Sequence, residues 1–282
     1  MSYPHSPLMQ VQALHELLGH PTWRVVDCRW SLMAPPKGRQ EYQTGHIPGA
    51  VFVDLDTELA DKAAGGGRHP LPSEEKLRAL LEQRGISDET SVLVYDDTAG
   101  SVAGRLWWTL RAFGHSNVWV LEGGIQAWTQ AGFPLEAGGV RVEPGHFTRR
   151  LDRSCWVDAE QVAARSPETV LIDARAGERF RGEQEPIDPV AGHIPGALNL
   201  AFMGNLEQGR FKSPELLRAR FAEAGIQAGP EVIAYCGSGV TACHNLLALE
   251  HAGLLGARLY VGSWSDWVSR PGAPVEVGAS PR

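Results

Sequence analysis

Short β-branched runs alternate along the whole chain with longer stretches in which apolar residues recur at helical spacing. Arg24 to Val26, Val92 to Tyr95 and Val118 to Leu121 predict buried strands, and Val170 to Ile172, Val232 to Tyr235 and Leu259 to Val261 predict a second set. Between them, Glu74 to Arg84 predicts a helix opened by Ser73 and closed by Gly85, and Pro214 to Ala224 one opened by Ser213 and closed by Gly225. A further helix is predicted from Val240 to Ala252, ending at Gly253. This alternation is that of β-α units around mostly parallel sheet, an α/β fold.

The pattern is written twice. VVDCR from Val25 matches LIDAR from Leu171, GHIPGA from Gly45 recurs unaltered from Gly192, VLVYD from Val92 matches VIAYC from Val232, and EGGIQAW from Glu122 loosely matches VGSWSDW from Val261. All four pairs keep their order at separations of 139 to 147 residues, so the chain carries an internal repeat. The Gly/Pro-rich, non-periodic AGGVRVEPG from Ala137 to Gly145 reads as a joint. The expected organisation is an amino-terminal domain over 1–137, a linker over 138–155 and a second domain over 156–282.

Composition narrows the function classes. The 282 residues include 43 % hydrophobic and 21 % charged, with 26 Lys+Arg against 33 Asp+Glu and a net charge of −7; this is an ordinary globular balance, unlike that of a disordered or fibrous chain. With no Lys/Arg-rich run to neutralise phosphates, nucleic acid is not an expected partner. No apolar run approaches the roughly 18 residues of a membrane span, and MSYPHSPLMQ lacks a charged-then-apolar leader, so no membrane association and a cytoplasmic location are expected. The four cysteines, Cys28, Cys155, Cys236 and Cys243, form no C-x-x-C pair, which leaves a zinc or dithiol site unsupported.

The repeat works as an internal control. Residues present in both halves, such as His46/His193, Asp27/Asp173 and Arg29/Arg175, are expected to serve the fold. The third landmark differs: the first half continues as Asp96-Asp97-Thr98-Ala99-Gly100-Ser101-Val102, the second as Cys236-Gly237-Ser238-Gly239-Val240-Thr241. A cysteine replaces a carboxylate in a loop two residues shorter, between a strand's carboxyl end and a helix's amino end, where open α/β sheets bind ligands. Gly237 and Gly239 allow successive N–H groups to line a small anion cradle, a setting that suits a sulfur nucleophile. A phosphatase loop of the Cys-x5-Arg type would need arginine where Ala242 stands. A Cys-His acyl-transfer site remains open through His69.

These segments resemble the tandem rhodanese-like sulfurtransferases, which pair an inactive amino-terminal repeat with a catalytic carboxy-terminal one. Both GHIPGA segments, CGSGVTAC at 236–243 and GSWSDW at 262–267 carry the resemblance over nearly the whole chain. Within the family, the Cys-Gly-Ser-Gly-Val-Thr loop is similar to that of enzymes acting on 3-mercaptopyruvate, whereas those acting on thiosulfate typically place Arg-Lys after the cysteine. The resemblance implies a two-step transfer in which Cys236 takes the donor's sulfur as a persulfide and yields it to cyanide, a small thiol or thioredoxin, with no metal or organic cofactor. The alternatives are thiosulfate as donor, and a persulfide carrier with little turnover.

The resemblance also implies site residues. Cys236 is the nucleophile, and Gly237, Ser238, Gly239, Val240 and Thr241 form the cradle that binds substrate. Ser238, His69 in GGGRHP and Asp56 in VFVDLD match a Ser-His-Asp relay that assists protonation of the departing enolate. Arg179 matches an arginine that binds the donor's anionic group. Asp56 and Arg179 align with Met203 and Met33 in the opposite half, so neither is shared between the repeats. The family's second arginine, directly after Glu-Pro, is Ile187 here, and Arg181 or Arg68 is expected to compensate. Cys243, two helical turns beyond Cys236, is expected to face away and be inert. The tryptophans Trp30, Trp107, Trp108, Trp119, Trp128, Trp264 and Trp267 are expected in the core or at the domain interface.

Overall fold

The computed structural model describes residues 6–226 and 231–279. The chain divides into two compact units, one containing residues 6–61 and 71–152 and the other Lys62–Pro70 together with the chain from Arg153 onward. Each unit is built on one five-stranded sheet.

In the first unit the strands are β1 (Leu8–Met9), β2 (Trp23–Asp27), β3 (Val51–Phe52), β4 (Ser91–Tyr95) and β5 (Val118–Leu121), paired in the order β1-β5-β4-β2-β3. In the second they are β6 (Trp156–Val157), β7 (Val170–Asp173), β8 (Leu198–Asn199), β11 (Val232–Tyr235) and β12 (Arg258–Tyr260), ordered β6-β12-β11-β7-β8. A small antiparallel hairpin, β9 (Leu206–Glu207) and β10 (Arg210–Phe211), lies between β8 and β11 in sequence. Every pairing within the two sheets is parallel. The strand orders are the same once the second set is matched to the first, so the sequence repeat is a repeat of topology. The central strands β4 and β11 are buried along almost their whole length, which is why they read as unbroken apolar runs.

The predicted helices form with slightly shifted ends. The first spans Glu74–Gln83, with Ser73 Oγ accepting from the Lys76 N–H, and its counterpart Pro214–Glu223 is capped in the same way by Ser213. The third spans Thr241–His251, Val240 serving as its cap. Sequence pattern missed the two-residue strands β1, β3, β6, β8, β9 and β10, which are too short for any periodicity to register.

The shared polar residues do serve the fold. Arg29 clamps Asp27 at 2.7 Å and donates to the Gly45 carbonyl, and Arg175 repeats this with Asp173 and Gly192 at the same distances. His46 stacks on Tyr42 and bonds its carbonyl through Nδ1, while His193 does the same with Phe180. In each half the backbone N–H of the GHIPGA histidine donates to a glutamate carbonyl, Glu136 or Glu276. Asp27 and Asp173 are fully buried, and removing one partner of such a pair typically costs about 3 to 5 kcal/mol. Trp128, Trp264, Trp107, Trp108 and Trp267 are buried, while Trp30 and Trp119 are partly exposed. The stretch after Ala137 is tied to the first unit: the Gly138 N–H donates to the Gln43 carbonyl, that of Val140 to the Tyr42 hydroxyl, and that of Gly145 to the Glu82 carbonyl.

Candidate active site

Cys236 directly follows β11 and stands at the carboxyl end of the second sheet, ahead of the helix Thr241–His251. Its side chain is almost fully covered, at 2 % exposure. The backbone around it is fixed from one neighbouring turn. The Cys236 N–H donates to Ser263 Oγ at 3.1 Å, its carbonyl accepts from the Trp264 N–H at 2.9 Å, and the Gly237 carbonyl accepts from the Ser265 N–H at 2.9 Å. Ser263 is held at φ +55°, a left-handed conformation that a serine adopts only under constraint, and its hydroxyl in turn donates to the Tyr260 carbonyl. At Gly239, φ is +73°, so the turn into the helix favours glycine there.

No side chain caps the helix Thr241–His251. The first-unit loop is completed differently. There the Asp96 carboxylate accepts from four backbone N–H groups: those of Thr98 at 3.0 Å, Gly100 at 2.8 Å, Val102 at 2.8 Å and Ala103 at 2.8 Å. Asp96 is fully buried and satisfies the amino end of the helix Ala103–Ala112. Where one half carries an anion of its own, the other carries a thiol.

The segment Lys62–Pro70, early in the chain, belongs to the unit that contains Cys236. Its close approach depends on Gly67, at φ +97°, where an added Cβ would lie 2.7 Å from the Gly262 carbonyl oxygen and 2.8 Å from Ser265 Oγ. The Arg68 N–H then donates to Ser265 Oγ at 3.1 Å. The next residue, His69, has its Nδ1 2.8 Å from Ser238 Oγ, and both side chains are buried. Two of the three expected relay members therefore meet. Asp56 belongs to the other unit, where it accepts a hydrogen bond from Trp30 Nε1 at 2.8 Å.

Arg179 reaches the same loop. Its Nη1 and Nη2 would lie 3.7 and 3.6 Å from a Cβ placed on Gly237, and Arg68 Nη2 only 2.6 Å from it. Two guanidinium groups thus converge over the residue after the cysteine, and a side chain there would displace one of them. Glu185 orients Arg179 through Nε at 3.1 Å and Nη2 at 2.7 Å, and also pairs with Arg175 at 3.2 Å. Burial pushes the Glu185 carboxyl up. The Arg179 hydrogen bond and the N–H groups of Asp188 and Ile187 outweigh that effect and hold it below the usual carboxylate range. Asp188 bridges both cations, pairing with Arg68 Nη1 and with Arg179 Nη2.

Of the two arginines expected to stand in for the family's second one, Arg68 is at the loop. Arg181 instead pairs with Glu183 on the surface. Ile187 is partly exposed, and its N–H bonds Glu185. Cys243 is buried, its Sγ donating to the Gly239 carbonyl at 3.4 Å. Burial, followed by the nearby charge of Asp27, pushes the Cys28 thiol well up, which keeps it unreactive. Among the described residues no group of three or more His, Cys, Asp or Glu is arranged to hold a metal ion, and no helix is long and apolar enough to cross a membrane.

Sequence reasoning missed Glu185, Asp188 and Ser263. The first two lie in the EQEPID segment beside Arg179, and their acidic spacing was the available signal. Ser263 stands where the other repeat has Gly124, at φ +58°. That serine-for-glycine exchange was readable from the repeat alignment.

A duplicated parallel α/β unit with one thiol loop defines a class, and comparison with known proteins agrees with it. The model of the Rhodanese-like domain matches residues 10–131 and again 158–270. The chain belongs to the rhodanese family and carries its domain twice.

Among its relatives, a probable 3-mercaptopyruvate sulfurtransferase of Pseudomonas aeruginosa is 47 % identical over 96 % of this chain and 98 % of that protein. The thiosulfate sulfurtransferase of Rattus norvegicus is 41 % identical over 92 % of this chain and 89 % of its own length. The crystal structure of SseA from Escherichia coli, described as a 3-mercaptopyruvate sulfotransferase with the rhodanese fold, superposes with a TM-score of 0.83 at 33 % identity, covering 93 % of this chain and all of that one.

Proposed function

We propose that this protein is a sulfurtransferase that moves sulfane sulfur from 3-mercaptopyruvate, through a persulfide on Cys236, to a thiol acceptor. The observation that carries the choice of donor is the 2.8 Å contact between His69 and Ser238, two residues from the cysteine, within a loop that has no basic residue of its own.

In the first step the Cys236 thiolate attacks the donor sulfur. An S–S bond forms, the donor's C–S bond breaks, and its electron pair leaves on the enolate of pyruvate, which takes up a proton to give pyruvate. Ser238 and His69 assist that protonation. Arg179 binds the donor carboxylate, and N–H groups of the loop from Gly237 to Thr241, with the positive end of the helix, stabilise the anionic persulfide. In the second step an acceptor thiolate attacks the outer sulfur and Cys236 returns as thiolate. Reduced thioredoxin and small thiols fit this chemistry, as does cyanide, which leaves as thiocyanate; the compartment proposed is the cytoplasm. No step needs a metal or organic cofactor.

Thiosulfate is the second reading for the donor. It is favoured by Ile187, which removes a carboxylate partner after Glu185-Pro186, and by relatives named thiosulfate sulfurtransferase. Intact-mass measurement of wild type and Cys236→Ser after incubation with 3-mercaptopyruvate tests the nucleophile: wild type gains one sulfur and the variant none. Equal gain in both overturns Cys236. Initial rates with the two donors at fixed cyanide test the substrate, and a clear preference for thiosulfate overturns 3-mercaptopyruvate.

A further inference from the structure

Arg68 and Arg179 converge on the Cys236 loop, Arg175 shares Glu185 with Arg179, and each of the three guanidinium groups has a carboxylate matched to it. Arg175 pairs with Asp173, Arg179 with Glu185, and Arg68 with Asp188. Arg175 is buried against the Trp264 ring. Arg68 and Arg179 reach Gly237. Between them stands Asp188, whose one carboxylate engages Arg68 through Oδ1 and Arg179 through Oδ2. The arrangement offers two donor-binding cations while its summed fixed charge is zero.

We propose that Asp188 is a specificity-determining residue: shared between Arg68 and Arg179 over the loop, it cancels one positive charge, so that a singly charged donor is preferred to a doubly charged one. This rests on the sulfurtransferase reading above and deepens it, because the two candidate donors differ in charge. At neutral pH a 2-oxo acid thiol carries one negative charge and thiosulfate two. The Asp188 side chain is 2 % exposed, so water screens little of its repulsion toward a second negative charge. Burial also pushes the Asp188 carboxyl above its usual range, against the pull of Arg68. The shared carboxylate also accounts for Arg68 in a chain with isoleucine at 187: the added cation supplies a second hydrogen-bonding group without adding net charge.

The test is the ratio of kcat/KM for thiosulfate to that for 3-mercaptopyruvate in the full-length protein. Asp188→Asn keeps the side chain's volume and removes its charge, and is expected to raise the ratio roughly tenfold, mainly through a lower KM for thiosulfate. Arg68→Gln is expected to lower the ratio, and the double variant to return it to within about twofold of wild type, since charge is then balanced again. A ratio unchanged in both single variants, or shifted in the same direction by both, overturns the proposal. If Asp188→Asn fails to fold, Arg68→Gln alone decides: a ratio that does not fall sinks it. Should wild type draw no sulfur from 3-mercaptopyruvate, the functional reading fails by itself. Asp188 is then judged on the KM for thiosulfate, which must still fall in Asp188→Asn.

Discussion

The loop after β4 and the loop after β11 begin from the same architecture and end in opposite chemistry. Both leave the central strand of a parallel sheet and enter a helix, and both are braced by a turn 28 or 29 residues later, where Trp264 donates to the Cys236 carbonyl and Ile125 to that of Asp96. In the first loop Asp96 satisfies four N–H groups. In the second the loop is two residues shorter and the side chain is a thiol. The difference lies in how the helix start is satisfied: a carboxylate seated on those N–H groups completes the first loop from within the fold, whereas no side chain caps the helix after Cys236.

Four substitutions break or sharpen that contrast. Cys236→Ser is expected to lower sulfur transfer by at least ~1000-fold, because a neutral hydroxyl does not form the persulfide; pyruvate release under saturating donor measures it. Asp96→Ala removes the anion of the other loop. With buried N–H groups left unpaired, denaturant unfolding should show a loss of about 3 kcal/mol, while the folded protein keeps its transfer rate. A fall in rate matching that of Cys236→Ser would mean the two loops are not functionally distinct. Ser238→Ala is expected to reduce kcat with 3-mercaptopyruvate by about 30-fold and to affect thiosulfate far less, since only the former leaves as a carbanion that needs a proton.

The smallest effect concerns acid. Burial lowers the pKa of His115 in the first unit from its ordinary 6.5, although Nε2 bonds the Thr90 carbonyl. The folded state therefore binds this proton less readily than the unfolded one. Its stability is undiminished above about pH 6.5 and declines as the pH falls from there toward the lower folded value. The second half has leucine at 254 and 255 in the equivalent stretch. His115→Gln should flatten the difference in unfolding free energy between neutral and mildly acidic solution by less than about 1 kcal/mol; an unchanged pH dependence excludes His115 as its source.

Much of this was legible in the sequence because the repeat supplied a control. Buried parallel strands announced themselves as apolar runs, Ser73 and Ser213 marked their helices, and the mismatch of Asp96 with Cys236 picked out the one loop where the two repeats differ in side-chain chemistry. Partnerships across long sequence distances were not legible from the residues alone, and His69 with Ser238 entered only through the family resemblance. Nothing local tells that Arg68 reaches Gly237, a residue 169 positions away, because that approach depends on a backbone turn at Gly67. Glu185 and Asp188 offered only their acidic spacing as a signal, since acidic residues beside arginines read as surface pairs until burial is known. Single β-bridges and two-residue strands escape for a simpler reason, having no period to detect.

Residues 62–70 cluster with the chain beyond Arg153 rather than with their sequence neighbours, and that one fact limits how the gene could be cut. A fragment beginning at Arg153 would retain Cys236, Ser238, Arg179 and Asp188 but lack Arg68 and His69. The repeat is therefore not a clean tandem of two separable halves: the unit bearing the thiol is assembled from two stretches of the sequence, one of them lying inside the first repeat.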